Sequence, residues 1–109
     1  MEKFEVGDVV LVFFPFSNLK GQKLRPALVL AKSEFNNLIL CQITSKPYSS
    51  KNAIKLVAKD FENGSLPIIS YARPDKIFTS EPSIIEKVSG KLTSNKRKVI
   101  LDSVRKIFK

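Results

Sequence analysis

Arg25 stands directly before Pro26, where a basic, polar stretch, Gly21-Gln22-Lys23-Leu24, gives way to the apolar run Ala27-Leu28-Val29-Leu30. Proline pushes the residue before it into extended backbone and lacks an amide donor of its own. The guanidinium is therefore held at the mouth of a strand, offering a planar fork of donors to a carboxylate or a phosphate. Thr44 and Ser45 close a second run, Leu38-Ile39-Leu40-Cys41-Gln42-Ile43, and bring two hydroxyls to a strand end. Taken singly, each has a structural role open to it. Arg25 can pair with a carboxylate of its own fold, and Thr44 and Ser45 can cap a turn. If the two strands are antiparallel neighbours, the start of one lies beside the end of the other. Arg25, Thr44, Ser45 and the basic Ser17–Lys23 loop, with Ser17, Lys20 and Lys23, then form an anion site. Ser70 and Arg73, on a later extended segment, are further candidates for the same surface.

What the chain lacks narrows the chemistry. It has no histidine, and thus neither the commonest general base nor the commonest metal ligand. Its ten Asp and Glu are scattered, and it has one cysteine, so no metal and no cofactor is expected. Cys41 cannot form an internal disulfide and lies in an apolar run, which reads as a buried core thiol. Nineteen Lys and Arg against ten acids give a net charge of +9. That excess suits an anionic partner (nucleic acid, an acidic protein segment or a membrane surface) and equally suits a lysine-coated solvated surface. No apolar run approaches the roughly 20 residues needed to cross a bilayer, and the Met1–Glu5 start has no signal-peptide core. A cytoplasmic protein without a membrane association is expected.

The elements that would position these residues follow from short hydrophobic runs. At 109 residues with 43% hydrophobic content, a single domain spanning 1–109 with a real core is expected. Val9–Phe14, Arg25–Ala31 and Leu38–Thr44 read as buried strands joined by short loops, which makes an antiparallel meander the economical topology. Asn36-Asn37, in the turn before the third strand, suits positive φ. Ala53–Val57 and Ile68–Arg73 read as later strands, with an edge or a bulge expected at Pro74. Lys59–Gly64 reads as a turn closed by Asn-Gly, and Ile84–Val88 as a short turn with helical character stopped by Gly90. The one long helix begins near Thr93, Ser94 or Asn95, with Val99, Ile100, Val104, Ile107 and Phe108 at helical spacing. The expected fold is mainly β, five or six strands closed into a small barrel, with a C-terminal helix.

Several segments, in order, resemble the PemK/MazF family of toxins from type II toxin–antitoxin systems. They are Gly7-Asp8-Val9-Val10-Leu11-Val12 with Phe14-Pro15-Phe16, then Arg25-Pro26-Ala27-Leu28-Val29-Leu30, then Gln42-Ile43-Thr44-Ser45. Ser70-Tyr71-Ala72-Arg73, Lys76-Ile77-Phe78-Thr79 and Gly90-Lys91-Leu92 continue the likeness, so that it covers nearly the whole chain. The resemblance implies an SH3-like antiparallel barrel of the CcdB/MazF type and a homodimer. It also implies sequence-specific, metal-independent cleavage of single-stranded RNA, with Arg25 and Thr44 as the catalytic pair. An acidic antitoxin is the implied protein partner, binding the same basic groove. Cleavage by the RNA's own 2′-OH needs no enzyme nucleophile, which accords with the missing histidine.

Two points stand apart from the family pattern. The Ser17–Lys23 loop has no acid, whereas some relatives carry a carboxylate there, so the acceptor of the 2′-OH proton is open between a carboxylate elsewhere, water and the phosphate itself. Toxins of this fold that bind DNA gyrase supply the alternative: a non-catalytic protein that acts by binding a macromolecular target. A third alternative is a housekeeping RNA-binding module. Against it, most of the eight Phe sit in apolar runs and not on a stacking surface.

Overall fold

The computed structural model describes residues 3–15, 22–46 and 51–108. Ser17 and Lys20 lie outside them. Among the described residues, seven strands form one curled antiparallel sheet: β1 (Asp8–Pro15), β2 (Gln22–Lys32), β3 (Leu38–Thr44), β4 (Ile54–Leu56), β5 (Phe61–Gly64), β6 (Ser70–Ser80) and β7 (Ile85–Leu92). Their spatial order is β4-β6-β3-β2-β1-β7-β5, and the helix α1 (Ser94–Ile107) follows. The expected β1–β2–β3 meander is present, with every pairing antiparallel.

The continuous apolar runs are explained by burial on both faces, as alternation along a strand requires. Val9, Leu28, Cys41 and Ile43 join Leu56, Ala72, Leu92 and Ile100 in one core, which α1 covers. Val10, Val12, Ala27, Val29, Leu38 and Leu40 join Phe4 in a second core on the opposite face, with Phe78, Ile84 and Ile85 packed against it. Cys41 is fully buried, and its thiol donates to the carbonyl of Arg73 at 3.1 Å. Burial pushes that thiol up to about 12, which makes it an inert core group.

Bulges curl the sheet. The β2–β3 register shifts by one residue between Val29 and Ala31, and β1–β7 shifts twice. In β3–β6, Cys41 pairs with Ile77 and Ile43 with Ala72, so residues 73–76 loop out of the ladder. Pro74 sits in that bulge, where its missing N–H removes no ladder bond, and β6 is an internal strand.

Three expectations need correction. Phe61–Gly64 is a strand and not only a turn, because β5 pairs with β7 through Phe61↔Leu92 and Gly64↔Gly90. Ile85–Leu92 is a strand and not a helical turn. A 3₁₀ turn, Pro82–Ile84, ends just before it, and the β-branched residues that follow pair with β1. Gln22 and Lys23, assigned to the hairpin loop, are the first residues of β2. In the β2–β3 turn the positive φ falls on Phe35 (58°) and Asn36 (65°), whereas Asn37 is extended at −69°.

The helix begins as its cap dictates. Thr93 is extended and its hydroxyl accepts from the Lys96 amide at 3.2 Å. Ile100 and Val104 are its buried residues. Arg97 reaches back over Gly7 and donates to the Val6 carbonyl at 2.9 Å, tying the helix to the start of β1. Among the described residues no helix is long and apolar enough to cross a membrane.

Candidate functional site

Past the area covered by α1, the face that carries the first core continues into an open cleft of about 450 Å³. Leu11 of β1, Leu24 and Pro26 of β2 and Ile43 of β3 make its apolar floor. Leu66, Pro67 and Ile68, in the connection from β5 to β6, form one wall. Ser89 of β7 also lines the cleft, and its hydroxyl donates to the Ser65 carbonyl at 2.7 Å, which anchors that wall to the sheet.

Arg25 and Thr44 both border this cleft. The β2–β3 ladder runs Val29↔Leu40, Leu28↔Cys41 and Ala27↔Gln42, and continuing it by two residues sets Arg25 opposite Thr44. Alternation from Ala27 and Gln42 assigns the pair to the second-core face of the sheet. Both border the cleft just past the last β2–β3 rung, Ala27↔Gln42, with Thr44 still paired to Tyr71 of β6. On its other side Arg25 is opposite Val12 of β1. Thr44 is buried, and its Oγ1 accepts from the Lys46 amide at 3.2 Å, so the turn after β3 orients the hydroxyl.

The other candidates divide. Lys23, Ser45 and Ser70 line the same cleft, Lys23 and Ser45 exposed. Ser70 is buried and its hydroxyl donates to the Ile68 carbonyl at 3.0 Å, which shapes the wall from within. Arg73 is not part of the lining. It lies in the β6 bulge, where its guanidinium grips Asp75 through Nη2 at 2.8 Å and Nε at 3.4 Å. The carboxylate two residues downstream was the sequence signal for that local pair.

Lys87 of β7 also lines the cleft, and sequence reasoning passed over it because Ile84–Val88 read as a turn. The β-branched pair Ile84-Ile85 followed by Val88 was the available sign of a strand. With Lys23 and Arg25, the lining then holds, among the described residues, three cations, several hydroxyls and no carboxylate. Such a lining is suited to binding and polarising an anion, and it offers hydrogen-bond donors with no evident base.

Comparison with known proteins agrees with this fold. Solved structures with the same fold include an endoribonuclease in complex with its cognate antitoxin from a mycobacterial species. It superposes with a TM-score of 0.75 at 13% identity, over 99% of this chain and 95% of that one. The MazE–MazF complex from Deinococcus radiodurans gives 0.74 at 15% identity, over 99% and 97%. The Mycobacterium tuberculosis toxin MazF-mt6 gives 0.70 at 15%, over 93% and 95%. At these identities the likeness establishes the fold. No curated protein matches in sequence. The model of one sequence family matches residues 5–108, nearly the full length and including every described residue of the cleft, and by that match the chain belongs to the PemK-like, MazF-like toxins of type II toxin–antitoxin systems.

Proposed function

We propose that this toxin is an endoribonuclease that cleaves single-stranded RNA without a metal, using the substrate's own 2′-OH. The observation that carries this reading is the convergence of Arg25 and Thr44 on one cleft whose described lining residues include cations and no carboxylate. The 2′-oxygen attacks the adjacent phosphorus and the bond to the 5′-oxygen breaks, giving a 2′,3′-cyclic phosphate and a free 5′-hydroxyl. The 2′-OH loses one proton and the leaving oxygen gains one, so no water is consumed. Arg25 donates to the phosphoryl oxygens and stabilises their charge as the pentavalent state forms. A guanidinium offers five N–H donors and no acceptor, so Arg25 acts as a donor and not as a base. Thr44 holds the same phosphate. With no carboxylate among the described lining residues, water or a non-bridging phosphate oxygen accepts the 2′-OH proton.

The mycobacterial endoribonuclease was solved with its cognate antitoxin and the Deinococcus MazF with MazE. We read the +9 charge as matched to an acidic antitoxin that shields the same cleft, and the active species as a cytoplasmic homodimer. The test is incubation of the purified protein with a long RNA in EDTA, beside Arg25→Ala and Thr44→Val. Discrete cuts are expected from the wild type. Far fewer are expected from either variant, and none at a site whose 2′-OH is replaced by hydrogen. Cleavage unchanged in both variants would overturn the site. An absence of cleavage on varied RNAs would favour a toxin that acts by binding.

A further inference from the structure

We propose that Lys87 is a positioning residue that holds the phosphate next to the scissile one, so that the cleft grips two successive phosphates of the RNA. This rests on the nuclease reading of the Arg25–Thr44 site. Lys87 is exposed on the cleft and makes no ion pair with any described residue. Its place is set by one rung that crosses three strands: Pro26 of β2 pairs with Leu11 of β1, which pairs with Lys87 of β7. Paired residues share a face, so Pro26, Leu11 and Lys87 make one strip, apolar with a cation at its β7 end; Arg25, next to Pro26 along β2, alternates to the other face and borders the same cleft at the β2 end. Two strand spacings put the backbone of Lys87 about 10 Å from that of Pro26. Cation, apolar strip and cation repeat the order of phosphate, sugar with base, and phosphate along a nucleic-acid strand.

A bulge decides which charge stands there. Val12 pairs with Ile85, and an unbroken register would next set Leu11 against Glu86. The ladder instead skips Glu86 and sets Leu11 against Lys87. One inserted residue thus puts a cation where the simple ladder would put a carboxylate, which repels RNA. Bulges near functional sites commonly re-aim a side chain in this way.

The experiment compares wild type with Lys87→Gln and Lys87→Arg, a surface position where folding is not at issue. One readout is steady-state cleavage of a short RNA. The other is the salt dependence of binding to the same RNA carrying a 2′-deoxy residue at the cut site. Lys87→Gln is expected to raise KM roughly fivefold, the upper end for one exposed ion pair, with kcat held within about twofold. It should also reduce the slope of log affinity against log salt by about 0.7, the value for one phosphate contact on a single strand. Lys87→Arg should restore both. A neutral methylphosphonate at the flanking linkage should raise the wild-type KM equally and add nothing to Lys87→Gln.

Wild-type cleavage with KM and slope unchanged in Lys87→Gln overturns the inference and leaves the nuclease reading standing. A fall in kcat at constant KM also overturns it, because Lys87 would then act at the scissile phosphate. A Lys87-dependent slope from a protein that never cuts supports the contact and overturns the nuclease reading.

Discussion

Replacing Gly7 by alanine tests how the start of β1 is held to the helix. Gly7 has φ +98°, in the region L side chains rarely enter, and its backbone serves two neighbours. Its amide donates to the Val29 carbonyl at 2.9 Å and its carbonyl accepts from the Leu92 amide at 3.0 Å, joining β1 to β2 and β7. A Cβ there would stand 2.3 Å from Cδ of Arg97 and 2.7 Å from its Nη1. The side chain that would have to yield is long and flexible, so the collision is relieved by moving Arg97 and losing its bond to the Val6 carbonyl. Positive φ costs about 1 kcal/mol for a non-glycine residue, and the lost exposed hydrogen bond about 1 more. Gly7→Ala should therefore destabilise by about 2 kcal/mol in urea unfolding, with an unchanged m-value. In an Arg97→Ala background the same change should cost only the backbone share, about 1 kcal/mol, giving a coupling of similar size. A Gly7→Ala protein within about 0.5 kcal/mol of wild type, or equal costs in both backgrounds, would refute the reasoning.

Gly64→Ala should be worse than Gly7→Ala. Its Cβ would meet backbone, the Ser89 carbonyl at 2.3 Å and Gly90 Cα at 2.5 Å, so the β5–β7 contact must open; a urea midpoint no lower than that of Gly7→Ala would count against this. Thr93→Ala removes the acceptor for the Lys96 amide and should cost about 1 kcal/mol, read as a melting-point drop of roughly 4–8 °C that Thr93→Ser largely restores. Cys41 gives a pH signature. Its thiol is raised from the ordinary 9.0 to about 12, so above pH 9 the unfolded chain loses a proton that the folded chain keeps, and stability falls as pH rises. Between pH 8.5 and 10 wild type should lose roughly 1 kcal/mol more than Cys41→Ala in urea titrations, and equal losses would show that the thiol is not protected.

Sequence made the first three strands and the helix legible because their signals are local. Continuous apolar runs stand for strands buried on both faces, and Thr93 caps the helix at one of the three positions expected. β5 and β7 were hidden for a physical reason. Phe61-Glu62-Asn63-Gly64 exposes most of its length and is held by pairing with β7, a partner remote in sequence. Asn63-Gly64 does take the positive φ of a turn, at Gly64, but there it permits a close approach to Ser89 and Gly90. The proximity of Arg25 to Thr44 could be read from an antiparallel meander. Lys87 could not, because a one-residue bulge chooses between it and Glu86, and no pattern in the chain marks where that bulge falls.

The charge of the cleft follows from where the acids are used. Asp8 accepts from the Glu5 amide and Asp60 from the Val57 amide, both as turn-forming groups. Asp75 holds Arg73, Glu5 holds Lys91 and Asp102 faces Arg105. Half of the ten carboxylates are thereby tied to partners that do not line the cleft, while Lys23 and Lys87 line it without an ion pair to any described residue. The net +9 is thus expressed at the cleft more strongly than an even distribution would allow, which raises both anion capture and its salt sensitivity. A site so arranged stabilises negative charge and has little means of removing a proton. In an endoribonuclease built this way, rate should depend more on the number of cations around the phosphate than on the titration of any one group. The activity should then stay nearly flat from about pH 6 to 8, because the described lining holds lysines, an arginine and hydroxyls, with no histidine and no carboxylate among them. A bell-shaped profile centred there would require a titrating group from outside the described cleft.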